Sequence, residues 1–348
     1  MRKTTLLLGL TLVVAALALT ACAGAEGPAG PVGPAGPAGP PGAPAAAADL
    51  TCTECHNSTT VILSKEGQFR ETSVHGTGES FIRGEEGSCA GCHGTEGVVA
   101  RISAGLPPHD ESVVGIANVS PFDCRTCHVI HTSYTAADWA LTGGAAPVKL
   151  EYTAGTFDGG SGNLCANCHQ IRNPAPKVEA GNVAVTSSRF GTHYGVEAQM
   201  LLGEGGLGVT GTPSAHYAGI EGTCVACHMG EEGNHTYLPD AARCVACHAD
   251  AESFDVNGTQ TEITAMLEEL HTIFVEKKLL NPETDLWGVY DTAAGKFSNP
   301  SADAPLVVPE AVANAMWNYK FVTYDASMGV HNSSYAKAIL EAALEAMK

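Results

Sequence analysis

The chain has 348 residues, a formal net charge of −19, 13 cysteines and 14 histidines. Forty glycines and 19 prolines against 6% aromatic residues describe a loop-rich protein whose core is not built mainly from its own side chains. The acidic balance excludes nucleic acid as a partner, because phosphates would be repelled, and suits a basic partner, a cationic substrate or plain solubility.

Residues 1–21 read as a targeting segment. Arg2 and Lys3 form a positive n-region, and Leu6 to Leu19 is an apolar run too short and wrongly flanked to span a bilayer. Leu19-Thr-Ala-Cys22 then resembles the site at which bacterial lipoproteins are cleaved and acylated, which makes Cys22 the lipidated residue and tethers the exported chain to a membrane. An ordinary signal peptide with a chance cysteine is the alternative. Ala23 is not an inner-membrane retention signal of the aspartate type, so the outer membrane or cell surface is the expected place. Residues 22–49 hold glycine at every third position from Gly24 to Gly42, with proline in many of the others. That pattern is collagen-like, since only glycine fits the axis of three close-packed polyproline-II chains. Seven triplets favour a stiff single-chain stalk, rising about 3.1 Å per residue, over a trimerising segment.

The other twelve cysteines form six pairs, each followed at once by histidine. They are Cys52-Thr-Glu-Cys55-His56, Cys89-Ala-Gly-Cys92-His93, Cys124-Arg-Thr-Cys127-His128, Cys165-Ala-Asn-Cys168-His169, Cys224-Val-Ala-Cys227-His228 and Cys244-Val-Ala-Cys247-His248. Disulfides need paired cysteines but no histidine after each pair. Zinc ribbons have no use for an invariable adjacent histidine, and thioredoxin-like sites come singly in a βαβ setting that is missing here. Cys-x-x-Cys-His is the attachment site of c-type haem. Two thiols two residues apart in a helical turn reach the two vinyl groups on one porphyrin edge, and the following imidazole binds the iron. Six sites mean six c-type haems, and those macrocycles supply apolar surface that the short loops lack. Successive motifs begin 37, 35, 41, 59 and 20 residues apart, so the last two haems are neighbours.

A haem iron with one histidine is either left open for chemistry or closed by a second strong ligand for electron transfer. Eight histidines lie outside the motifs: His75, His109, His131, His193, His216, His235, His271 and His331. Six are needed. His131 lies three residues after His128, about one helical turn on, so it projects from the same side of the backbone and binds a different haem from His128. His75 lies between the first two motifs, His193 and His216 lie in the 59-residue gap, and His235 lies in the shortest gap. His331 opens an amphipathic helix carrying Tyr335, Ile339 and Ala342. The distal set is therefore His75, His131, His193, His216, His235 and His331. His109 follows Pro107-Pro108 in a loop, and His271 flanks the apolar face of Ile263, Met266, Leu267, Leu270 and Phe274; both are set aside. Met200 and Met229 read as packing residues.

Several stretches resemble the extracellular and outer-membrane multihaem c-type cytochromes of metal-reducing bacteria. They are Cys89-Ala-Gly-Cys-His-Gly-Thr-Glu-Gly97, Cys124-Arg-Thr-Cys-His-Val-Ile-His131, Asn163-Leu-Cys-Ala-Asn-Cys-His-Gln-Ile-Arg172, Thr192-His-Tyr-Gly-Val-Glu-Ala-Gln-Met-Leu-Leu-Gly203, Cys224-Val-Ala-Cys-His-Met-Gly-Glu-Glu-Gly-Asn-His-Thr-Tyr237 and Ser327-Met-Gly-Val-His-Asn-Ser-Ser-Tyr335. By analogy, His131, His193, His235 and His331 are distal ligands, and the protein passes electrons by haem-to-haem hopping at the cell envelope. Other cytochromes or extracellular metal oxides are the implied partners. No catalytic residue is assigned. A reductase of small nitrogen or sulfur oxyanions is the competing class, often marked by lysine in place of a motif histidine, and no Cys-x-x-Cys-Lys occurs. A filament, or a homotrimer through the Gly-x-y stalk, is a third possibility.

The expected fold is mostly irregular, with short α-helices wrapped around a stack of six covalently bound c-type haems. The domains are a signal peptide (1–21), a stalk (22–49), a hexahaem domain (50–258) and a helical segment (259–348) packing on the haems. Longer helices are expected at about 259–280, 309–322 and 330–347, with little or no β-sheet. His131→Ala should leave all six haems attached and open one iron other than that of His128, giving a high-spin ferric signal. A spectrum that stays wholly low-spin without a replacement ligand contradicts that role.

Overall fold

One helical turn recurs at every described Cys-x-x-Cys-His motif. The turn is α-helical at Cys124–Cys127, at Asn163–Ala166 and at Cys224–His228, and 3-10 at Gly87–Gly91 and Ala241–Ala246. In four motifs the histidine N–H donates to the carbonyl of the first cysteine, at 2.7–2.9 Å. Such a turn carries both thiols and the imidazole on one small stretch of backbone. Polar side chains start two of these turns. Asp123 accepts from the Arg125 N–H at 2.8 Å while Thr126 closes the capping box, and Asp240 accepts from the Ala242 N–H at 2.9 Å.

The structure, a computed structural model, describes residues 61–108, 110, 113, 119–144, 146–230 and 233–348. The chain divides into two units, 1–47 and 48–348. Cys22, the expected lipidation residue, the Gly-x-y stretch, the first motif (Cys52, Cys55, His56) and His109 lie outside the described residues.

The elements in chain order are helices α1 (Val61–Glu71), α2 (Val74–Thr77), α3 (Thr95–Ser103) and α4 (Cys124–Cys127). Strands β1 (Val148–Lys149) and β2 (Thr156–Phe157) form a short hairpin, followed by α5 (Asn163–Ala166), β3 (Asn182–Val185), α6 (Glu197–Leu202), α7 (Ala215–Gly219) and α8 (Cys224–His228). The C-terminal part holds α9 (Thr259–Glu276), the hairpins β4 (Leu280–Asn281) with β5 (Leu286–Trp287) and β6 (Val289–Asp291) with β7 (Lys296–Ser298), then β8 (Leu306–Pro309), α10 (Glu310–Asp325) and α11 (Ser333–Ala346). The fold is thus mostly irregular and helical with a few short strands. Among the described residues, no helix is long and apolar enough to cross a membrane.

The C-terminal helices build a conventional side-chain core. Ile263, Leu267, Leu270 and Phe274 of α9 repeat at helical spacing and are buried. α10 is buried nearly all round from Ala315 to Val322, as suits a central helix, and α11 adds Tyr335, Ala336, Ile339, Leu340 and Ala343. Low overall aromatic content conceals a local concentration here. Two of the three tryptophans, Trp287 and Trp317, lie in this core. The Phe274 ring meets Trp287 edge-on at 5.1 Å and Tyr319 at 5.4 Å.

Three long-range contacts tie the region of the Cys-x-x-Cys-His motifs to this core. β3 pairs antiparallel with β8, from Asn182 opposite Pro309 to Val185 opposite Leu306. The indole N–H of Trp287 donates to the Phe190 carbonyl at 2.8 Å, and that of Trp317 to the Gly205 carbonyl at 3.0 Å. Phe274→Ala should lower the stability of the C-terminal core by about 3–5 kcal/mol, read from the far-UV circular dichroism midpoint in urea. A loss below about 1 kcal/mol would contradict the central place given to this ring.

Candidate functional site: opposed histidines

The structure brings motif histidines and non-motif histidines together in pairs. The ring centroids of His75 and His169 are 6.0 Å apart, those of His128 and His235 6.2 Å, those of His216 and His248 6.3 Å, and those of His228 and His331 6.4 Å. A fifth couple, His93 and His193, is close enough for each charge to be felt by the other. Metal–imidazole nitrogen bonds run near 2.0–2.1 Å, as at zinc, so two imidazoles on opposite faces of one metal put their centroids about 6 Å apart. Ordinary aromatic pairs also fall in this distance range. Chance packing, however, gives no reason for each of the four ring pairs to hold one motif histidine and one from elsewhere.

Hydrogen bonds select the ring nitrogen left for a metal. Nδ1 donates to a backbone carbonyl in His128 (Trp139, 2.7 Å), His193 (Tyr194, 3.0 Å), His216 (Val330, 2.8 Å), His228 (Tyr237, 2.9 Å) and His235 (Gly233, 2.7 Å). A carbonyl accepts only, so the proton sits on Nδ1 and the lone pair on Nε2. Two more histidines meet carboxylates instead: His169 Nδ1 lies 3.0 Å from Glu197 Oε2, and His331 Nδ1 lies 2.7 Å from Asp325 Oδ1.

Protonation follows these partners. Desolvation, with His169 as a second cause, lowers the pKa of His75 to about 4. Desolvation likewise lowers those of His93, His228 and His235. Neutral imidazole is the form that binds metal. Glu197 raises His169 to about 9, chiefly through its charge; burial opposes the charge on His331, yet Asp325 lifts it to about 9. Binding a metal at those two rings would release a proton and leave a carboxylate facing an N–H.

The cysteines of different motifs also converge. Cys92 and Cys168 interact, as do Cys165 and Cys224. Cys227 and Cys244 sense each other electrostatically. All ten described motif cysteines are free thiols, and disulfides between motifs would leave the histidine pairing without a reason. Among the described residues no group of three or more His, Cys, Asp or Glu could hold a metal ion. A porphyrin iron asks the protein for two axial ligands only, so the paired donor set fits haem and not a zinc ribbon.

The remaining histidines are placed as follows. His131 is exposed and stacks on Tyr134 at 5.4 Å, and it is not opposed to His128, whose partner is His235. The helical-turn geometry expected for it is corrected: α4 ends at Cys127, His128 is extended (φ −121°, ψ 149°) and His131 is left-handed (φ 61°). His271 presents Nε2 to Asp285 at 3.3 Å and is half open to solvent. Met200 is buried in the C-terminal core.

Three residues the sequence reading missed organise the site. Tyr237 accepts from His228 through its carbonyl, and its ring lies 5.1 Å from His75 and 6.0 Å from His235. Glu197 holds His169. Arg101, fully buried, donates to Gly91 O at 2.6 Å, Leu106 O at 3.3 Å and Asn167 O at 3.1 Å, joining the second motif to the fourth. Only the Arg at the seventh place of an amphipathic α3 hinted at such a role, and charged residues there are usually solvated.

No family model and no curated protein matches the chain. Among solved structures it is similar to the outer cell wall cytochrome OcwA, at 22% identity and a TM-score of 0.46, over 82% of this chain and 48% of that one. The chain spans about half the length of that protein. Arg101→Met keeps the length of the side chain but strands the Gly91 and Asn167 carbonyls. Unfolding in guanidinium should show about 2–3 kcal/mol less stability, whereas an unchanged midpoint would mean that water replaces the guanidinium freely.

Proposed function

We propose that this chain is a hexahaem c-type cytochrome that carries electrons by hopping between bis-histidine irons at the cell envelope. The observation that supports it most is the pairing of four motif histidines, His128, His169, His228 and His248, each with a non-motif histidine across 6.0–6.4 Å. In this reading Cys89 and Cys92, Cys124 and Cys127, Cys165 and Cys168, Cys224 and Cys227, and Cys244 and Cys247 hold their haems by thioether bonds, as do Cys52 and Cys55. His93, His128, His169, His228 and His248 are proximal ligands, and His193, His235, His75, His331 and His216 respectively close their irons. His56 is the sixth proximal ligand. His131 is the distal ligand we assign to it, with His271 engaged by Asp285 and His109 outside the described residues.

Bound haem supplies a one-electron ferric–ferrous couple at each site. The chain's own residues do the rest. Nδ1 hydrogen bonds to fixed carbonyls orient each ring and set its tautomer. Two strong ligands per iron leave no open position, so electrons move and substrates do not bind. Contacts between cysteines of successive centres keep the macrocycle edges close enough for hopping. Lipidation at Cys22 with the Gly-x-y stalk would hold this unit off an outer membrane, in reach of other cytochromes or a mineral surface.

The competing oxyanion-reductase reading requires an iron open on one side. Electron paramagnetic resonance of the oxidised protein should show only low-spin haem, six per chain by haemochrome assay, with no turnover of nitrite or hydroxylamine. His75→Ala should convert one haem of the six to high spin, the one at His169. High-spin haem in the unmutated protein, or fast nitrite turnover, would favour the reductase.

A further inference from the structure

The Nδ1 partners of the paired histidines fall into two chemical classes. Five rings donate to neutral backbone carbonyls, while His169 and His331 face full negative charges on Glu197 and Asp325. We infer that Glu197 and Asp325 are tuning residues that hold two adjacent irons, at His169 and at His228–His331, below the potential that carbonyl partners would give them. This rests on the hexahaem reading above.

The physical reason lies in how the ligand responds to its partner. A carboxylate accepting from Nδ1–H draws the proton toward itself and makes Nε2 a stronger electron donor. A stronger donor, with a negative charge beside it, stabilises the ferric over the ferrous state; second-shell hydrogen bonding is one of the levers that set haem potentials. Low local dielectric increases the effect. The Asp325 side chain is fully enclosed and that of Glu197 is 22% exposed.

Placement strengthens both contacts. Asp325 is the last residue of the 16-residue α10, so the negative end of that helix dipole adds to its charge at His331. The Ser327 hydroxyl donates to the other oxygen of Asp325 and fixes its orientation. Glu197 also acts on His331 electrostatically, so the two carboxylates serve both centres. The centres are neighbours, since Cys224 Sγ lies 4.0 Å from the Gly162 carbonyl, at the start of the helical turn that carries Cys165. Arg101 and Arg172 bring positive charge to the other side of the fourth motif, at Cys168, and oppose the effect there. Tuning by Glu197 is therefore a difference that appears when its charge is removed.

Redox titration of the holoprotein tests the inference. Glu197→Gln and Asp325→Asn keep shape and hydrogen bonding but remove the charge. Each should raise the midpoint of one or two components by about tenfold in the ferrous-to-ferric ratio, which is about 59 mV for a one-electron couple. Each should also alter the low-spin g-values of those haems, while the other components stay put. Glu204→Gln is the control, because Glu204 accepts from the Gly155 N–H at 3.0 Å and touches no imidazole. If an amide variant loses haem, Glu197→Ala or Asp325→Ser gives the same reading with water at Nδ1. Six haems with midpoints that move no more than in Glu204→Gln overturn the inference alone. An unmutated chain carrying no haem overturns the hexahaem reading instead.

Discussion

Two imidazoles must face each other about 6 Å apart, at several places at once, in a chain with little regular structure. That constraint governs the rest of the molecule. An imidazole on a loop is free to turn, and its lone pair points anywhere until something holds Nδ1. Here carbonyls from neighbouring loops, or carboxylates at helix ends, do that holding. His216 is held by Val330 O, next to His331, and His228 by Tyr237 O, two residues from His235. These two pairs are thus braced by backbone beside another pair, and displacement of one would be felt by its neighbour.

The C-terminal core gives this network something rigid to rest on. His331 follows the left-handed end of α10 at Ala326 (φ 56°) and precedes the Asn332 cap of α11. Asn332 also donates to the Met200 and Thr212 carbonyls, at 3.1 and 2.9 Å, locking that corner to α6 and the loop after it. A histidine placed between two packed helices moves little. His131 and His193 are positioned differently, by left-handed backbone (φ 61° and 71°) that re-aims the side chain within a loop.

Much of this was legible in the sequence, and the gaps have physical causes. The Cys-x-x-Cys-His spacing is local chemistry and needs no fold. Helices expected near 259–280, 309–322 and 330–347 occur at 259–276, 310–325 and 333–346, because their apolar periodicity is strong. The partner of each ring was not legible: His75 meets the histidine of the fourth motif rather than of the motifs that flank it, a choice made by tertiary packing. The helical-turn argument for His131 failed because His128 already leaves the helix in an extended conformation. Glu197 and Asp325 looked like two of 37 acidic residues, and only the folded chain distinguishes them.

The central claim is that an iron lies between each opposed pair of histidines. An anomalous difference map at the iron edge from crystals of the holoprotein tests it most directly. The account predicts peaks midway between His75 and His169, His193 and His93, His235 and His128, His216 and His248, and His331 and His228, each about 2 Å from both Nε2 atoms. A peak with only one histidine beside it, or with a different partner on its distal face, would contradict the account.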